Sequence, residues 1–150
     1  MKKNFIIIFV LFFTSCGYAP MYSINNQENF KITILESYGD RDVNNLIKSR
    51  LNNYSNINSE RKINLKMNSI YEKNSIAKDT TGNTTDYEVK IQTIFIFDLN
   101  NEIKEITLSE SFNFKSLSSN FEELEYEKTL KENMVRNIVN KFMLQFTRIR

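Results

Sequence analysis

Few residues of this 150-residue chain are equipped for chemistry. It has no histidine, so the usual general base and commonest metal ligand are missing. One cysteine, Cys16, can form neither an internal disulfide nor a cysteine-rich zinc site. Carboxylates such as Glu88 and Glu110 are present, but no nucleophile or base is spaced to work with them. We read the chain as a non-enzyme without metal or cofactor, whose reactive group is the Cys16 thiol.

The surroundings of Cys16 say what that thiol is for. A short basic stretch, Met1-Lys2-Lys3-Asn4, precedes an unbroken apolar run from Phe5 to Phe13. As a helix that run would span only about 14 Å, against about 30 Å for a bilayer core, so it reads as a secretory signal rather than a spanning anchor. It ends in Phe13-Thr14-Ser15-Cys16, which resembles the lipobox of bacterial lipoproteins. In that motif the cysteine is acylated and becomes the new N-terminus. Several acyl chains on one cysteine anchor stably where a single chain is marginal. A plain signal peptide with an incidental cysteine is the alternative. Gly17 follows Cys16, in place of the Asp typical of inner-membrane retention, so the expected location is the outer membrane, lipid-anchored on the periplasmic side. Taking Lys2 and Lys3 from the 20 basic residues leaves 18, equal to the 18 acidic ones. A mature chain so balanced is not that of a nucleic-acid binder.

The expected organisation is a signal peptide at 1–15, a lipidated N-terminus and tether at 16–27, and one domain at 28–150. Tyr18, Pro20 and Tyr22 in the tether suit the headgroup interface, a strand-like tether pinned to a partner, or a linker folded back on the domain. Phe30, Ile32 and Ile34 alternate with Lys31 and Thr33, the period of a half-buried strand. Gly39-Asp40 ends it, and Asp40 is placed to cap a helix over 41–54 with Val43, Leu46, Ile47, Leu51 and Tyr54 on one face. A second strand carries Ile63, Leu65 and Met67. A third follows the turn-forming segment 80–86, with Tyr87, Val89, Ile91, Thr93, Phe95 and Phe97 on one face. The break at 98–101 reads as a hairpin, and a fourth strand sets Ile106, Leu108, Phe112 and Phe114 on one side.

The C-terminal segment has glutamates at 122, 123, 125 and 127 and arginines at 148 and 150, matching the dipole of a long helix at both ends. Leu130, Met134, Ile138, Phe142 and Phe146 repeat every four residues, widened by Val135, Val139 and Met143. Burying such a stripe is worth at most roughly 12–24 kcal/mol. Ordering the helix costs a similar amount, so it needs a sheet beneath it. The expected fold is α+β: a two-layer sandwich of a four-stranded, mainly antiparallel sheet with two helices on one face, in the order β-α-β-β-β-α.

Taken together, these features resemble the lipopolysaccharide-assembly lipoprotein family (LptE) in its alphaproteobacterial form. Cys16-Gly17-Tyr18-Ala19-Pro20-Met21-Tyr22 is similar to that family's Cys-Gly-aromatic-x-Pro-Leu-Tyr N-terminus. Ser111-Phe112-Asn113-Phe114 is like its Ser-Tyr-Asn step, and Phe121 opens a long terminal helix. The family's small alanines early in that helix are Glu123, Leu124 and Glu125 here, and its Thr-Arg pair before the third strand is Thr85-Asp86. The resemblance implies an outer-membrane lipoprotein that plugs the β-barrel LptD, is needed for its assembly, and helps pass lipopolysaccharide to the outer leaflet.

Candidate contacts follow. The strand face opposite the apolar set carries Asn64, Lys66, Asn68, Glu88, Lys90, Gln92, Glu105, Thr107, Ser109 and Ser111. It would suit a polar barrel lumen, or simply water. Lys66, Gln92 and the paired, exposed Ile94 and Ile96 are the candidate barrel contacts. Lys78, Lys90 and Lys115, read as lying toward strand ends, are candidate contacts for lipopolysaccharide phosphates, or plain solubilising lysines. Two rival functions remain: a freestanding periplasmic lipid-binding lipoprotein with an apolar cavity between sheet and helices, and an auxiliary lipoprotein of an ABC-type transport complex.

Overall fold

The computed structural model describes residues 30–60, 62–99 and 102–149. The signal segment, Cys16 and the tether lie outside the described residues. In chain order the elements are β1 (Lys31–Gly39), α1 (Arg41–Asn52), β2 (Lys62–Lys78), β3 (Thr84–Leu99), β4 (Glu102–Lys115) and α2 (Asn120–Ile149). They form one sheet in the order β1-β2-β3-β4, with both helices on one face. This is the α+β sandwich expected from the sequence.

The sheet is mixed, because β1 pairs with β2 in parallel while β2-β3 and β3-β4 are antiparallel. A parallel neighbour demands a crossover, and α1 supplies it. The reversal from β1 into α1 turns on Gly39, whose φ is +83°. A Cβ there would stand 2.0 Å from the Ser69 carbonyl oxygen, so no other residue fits. Asp40 then donates its N–H to that same oxygen at 2.7 Å and caps the helix, its carboxylate accepting from Val43 N–H at 2.8 Å. The buried Asn44 side chain donates to the Tyr38 carbonyl, tying helix to strand.

A register shift between Ile34 and Glu36 changes which face later β1 residues occupy. After it, Ser37 lies toward α1, where it accepts from Lys48 Nζ at 2.9 Å, and Glu36 lies beside Lys66 on the open face. β2 runs well beyond the apolar alternation that ends at Met67. It continues through a buried Ser69–Thr93 hydroxyl pair (3.0 Å) and Tyr71 to Lys78. The β2-β3 turn closes on Asp79, whose Oδ1 accepts from Thr81 N–H and Asn83 N–H at 2.8 and 2.9 Å, and β3 starts at Thr84 instead of Tyr87.

All eight apolar residues of the α2 stripe are buried, together with Val43, Ile47 and Leu51 of α1. Phe142 stacks on Phe95 with ring centroids 4.3 Å apart, and Phe146 meets Phe30 and Phe97 edge-on at 5.4 and 5.3 Å. Phe112 departs from expectation. It shares the covered face of the edge strand β4 with the buried Ile106, Leu108 and Phe114 but is itself 45% exposed.

Candidate functional site

With one sheet face closed by helices, the other is left open. Its cross-strand rows follow from the register. One row reads Glu36, Lys66, Ile96, Glu105, the next Tyr38, Asn68, Ile94, Thr107, and a third Ile70, Gln92, Ser109. Lys66 donates to Glu36 at 3.0 Å, and Lys66 and Tyr38 together hold the Glu36 carboxyl below the usual carboxylate range. Ser111 Oγ donates to Glu88 at 2.9 Å. The face is therefore polar at its borders, with half-buried Ile94 and Ile96 along its centre. Asn68 and Thr107 flank Ile94, and Lys66 and Glu105 flank Ile96, so both are less open than the sequence implied. The more exposed apolar residues here are Ile103, Tyr38 and Ile70, which the strand alternation did not single out.

The three candidate lysines do not assemble. Lys115 pairs with Asp86 in register at the end of the sheet where Lys78 also lies, opposite Thr84. Lys90 is not near a strand end. It sits mid-strand between Glu72 and Ser111, four residues and roughly 13 Å along β3 from Asp86.

A cation that sequence reading passed over stands on the covered face instead. Lys73 of β2 donates to Glu123 at 2.8 Å and to Glu127 at 2.9 Å, both on the first turns of α2. Its Nζ also lies 4.3 Å from the Tyr87 ring centroid and 5.5 Å from that of Phe114. Tyr71 donates to Glu127, and Lys131 caps the Tyr71 ring at 4.0 Å. Glu123 further accepts from Ser116 Oγ and Leu117 N–H.

The electrostatics follow from these contacts. The Lys73 hydrogen bond lowers Glu123 below the usual carboxylate range. Burial pushes Glu127 up, but its bonds from Tyr71 and Lys73 outweigh that and lower it. Burial likewise pushes Lys73 down, and the two glutamates overcome it and raise it. Tyr71 is raised, by burial first and by Glu127 second. A signal for this cluster does exist in the sequence. Extending the β2 alternation past Met67 puts Lys73 on the inward parity, facing the glutamates of α2.

Between α1 and α2 runs an open groove of about 450 Å³, lined by Asp42, Asn45, Leu46, Leu124, Glu127, Lys128, Lys131 and Glu132. Deeper, among Phe30, Ile32, Leu65, Phe142 and Phe146, the packing leaves no room for a water. Among the described residues no group of His, Cys, Asp or Glu could hold a metal ion, and no helix is long and apolar enough to cross a membrane.

No protein-family profile and no curated protein sequence matches the chain. Solved structures do. Rare lipoprotein B from Shewanella oneidensis superposes with a TM-score of 0.57 at 14% identity, over 78% of this chain and 96% of that one. The minor lipoprotein from Acinetobacter baumannii gives 0.53 at 13% identity, over 77% and 94%. At such identities the likeness is one of architecture: the chain has the fold of these lipoproteins across nearly their whole length.

Proposed function

We propose that the protein is an outer-membrane lipoprotein, anchored by acyl chains on Cys16, that plugs the β-barrel LptD and serves its assembly and the translocation of lipopolysaccharide to the outer leaflet. The observation that carries this reading is the division of the sheet. One face is sealed by two helices, and the other presents Asn64, Lys66, Asn68, Glu88, Lys90, Gln92, Glu105, Thr107, Ser109 and Ser111 in rows. A barrel lumen is polar, and the polar rows of such a face can meet it. The lipoprotein architecture and the LptE-like motif from Cys16 to Tyr22 support the same reading. The dry packing around Phe142 weighs against a lipid shuttle, which needs a cavity there. In this reading the protein catalyses nothing, takes no cofactor besides its covalent lipid, and binds no nucleic acid.

The test is affinity purification of the tagged protein from detergent-extracted membranes, with mass spectrometry of its partners and of its own N-terminal peptide. A stoichiometric large β-barrel with an acylated Cys16 is the expected result. A free Cys16 thiol without a barrel would overturn the proposal in favour of a soluble periplasmic binder, and co-purifying ABC-type transport subunits would favour the auxiliary role.

A further inference from the structure

The open face is not uniform along its length. Ile103 of β4 pairs with Asp98, and Ile96 and Ile94 take the next two open-face positions of β3. Ile70 of β2 pairs with Gln92, the open-face position after Ile94. These four isoleucines therefore lie on one line across three strands, each step a diagonal or an i, i+2 neighbour. The steps measure roughly 7–8 Å, close enough for the side chains to form one surface. Ile70 is 46% and Ile103 79% exposed, Ile94 and Ile96 are half-buried, and Tyr38 of β1 stands beside Ile70. Farther along the same face, the rows Glu72-Lys90-Ser111 and Asn74-Glu88-Asn113 hold no apolar residue. Contiguous apolar surface rimmed by polar residues is the mark of a contact site.

The slant of the stripe indicates what kind of surface covers it. From the level of Asp98 to that of Gln92 it runs roughly 20 Å along the strands while crossing two strand spacings, roughly 10 Å. It therefore lies at roughly 25° to the strands. Stacked β surfaces keep their strands within about 30° of each other, so one strand laid along the stripe stands at the ordinary angle of sheet on sheet. The side chains on one face of that strand recur every ~6.7 Å, near the stripe's own step, whereas neighbours on a helix surface stand about 5–6 Å apart. Charge banks the stripe on both sides. Lys66, held by Glu36, lies on the β2 side, and Glu105, with no ion pair among the described residues, lies on the β4 side. A cation on the covering strand complements the Glu105 bank.

A second copy of the chain and the wall of a barrel both offer β surface, and area separates them. The stripe and its banks cover roughly 500 Å², four strand spacings wide and about 25 Å long. Two copies stacked there would bury about 1,000 Å² in all, short of the roughly 1,200–2,000 Å² of stable pairs. A domain enclosed in a lumen needs less from any one face, because the enclosure keeps that face at high effective concentration beside the wall. Lumen-facing residues of a barrel strand alternate with lipid-facing ones, so a single wall strand supplies side chains at the required repeat.

We infer that the barrel holds the domain along this stripe: one wall strand lies over Ile70, Ile94, Ile96 and Ile103 and sets successive apolar, lumen-facing residues between them. The polar rows beyond stay hydrated in the lumen. The inference rests on the barrel-plug reading. It adds the line of contact and the chemistry of the wall there, an apolar strip in an otherwise polar lining.

The full-length tagged protein, irradiated in cells before detergent extraction, tests it. A photoreactive benzophenone amino acid is placed singly at Ile70 or Ile103 in the stripe, or at Asn74 or Asn113 in the polar rows. The stripe positions should crosslink to a large β-barrel in several times the yield of the polar ones, and to alternate residues of one wall strand. Without irradiation, Ile70→Thr, Ile94→Thr, Ile96→Thr and Ile103→Thr together, which keep strand propensity, should lower the co-purified barrel about tenfold. Asn74→Thr with Asn113→Thr should leave it unchanged, and circular dichroism checks each fold. The single-site crosslinks do not depend on the folding of the combined variant. Equal crosslinking from both sets, crosslinks to a second copy, or crosslinks to residues 17–29 of the same chain overturn the inference. A native chain and a combined variant that bring down the barrel equally sink the contact line alone. A native chain that brings down no barrel sinks the plug reading and the inference with it.

Discussion

From Leu130 to Phe146, α2 turns eight buried apolar side chains onto the sheet; from Asn120 to Thr129 it has no buried residue and holds on through Glu123 and Glu127 to Lys73, with Glu127 also bonded by Tyr71 and the Tyr126 ring against Phe114. The two stretches belong to one unbroken helix. The apolar half is held by area removed from water, which neither salt nor moderate pH disturbs. The charged half is held by pairs whose side chains keep between 14% and 24% of their exposure, so screening and titration both reach it. A single helix can thus be permanent at one end and conditional at the other.

Removing the central ring of the apolar half should have the largest effect. Phe142→Ala is expected to lower the unfolding free energy by about 3–5 kcal/mol in urea titrations, since Phe142 packs on Phe95, Phe97 and Phe146. A loss under about 1 kcal/mol would mean that this half is not fastened there. Lys73→Met comes next, at roughly 2 kcal/mol, because it strands two partly buried carboxylates. Hydrogen exchange should show amides 123–129 losing protection while 134–146 keep theirs, and a uniform loss would erase the division between the halves.

The charged half should also respond to pH. Glu123 and Glu127 are lowered in the fold, so their contribution is present above the ordinary carboxylate value of 4.5 and is lost as pH falls through the lower folded values. Lys73 is raised, so its contribution is present below the usual lysine value of about 10.4 and is lost as pH climbs through the raised one. Protection of 123–129 should therefore hold between about pH 5 and pH 10 and fail on acidification before that of 134–146 does. If Lys73→Met shows the same acid profile as the native chain, the cluster is not what titrates. Phe121→Ser should do least, within about 0.5 kcal/mol, since this side chain is 72% exposed. A clear loss there would mean that Phe121 adds an apolar attachment to that of Tyr126 on Phe114.

The two halves were unequally readable from sequence. A stripe such as Leu130-Met134-Ile138 needs only the helical period, and the burial of all eight members follows from it. The Lys73 pairing joins residues 50 and 54 positions apart, across two turns, two strands and a loop. No local period encodes that. The open face shows the same limit: alternation sorted Ile94 and Ile96 onto it, but how far neighbouring strands cover them depends on the register. The candidate lysines divide likewise, Lys78 and Lys115 lying toward one end of the sheet and Lys90 standing apart between Glu72 and Ser111.

By itself the sequence determined what neighbours along the chain can settle. It marked the strands by their period of two and the helices by their stripes. It also placed the Asp40 cap and the break between β3 and β4. Only the tertiary structure decided the parallel pairing of β1 with β2, the shift at Leu35 that sets Glu36 beside Lys66, the partial exposure of Phe112 on an edge strand, and the docking of the α2 start onto Lys73. Propensity and amphipathicity act over a few residues, whereas strand order, register and charge pairing are fixed when distant segments compete for one core.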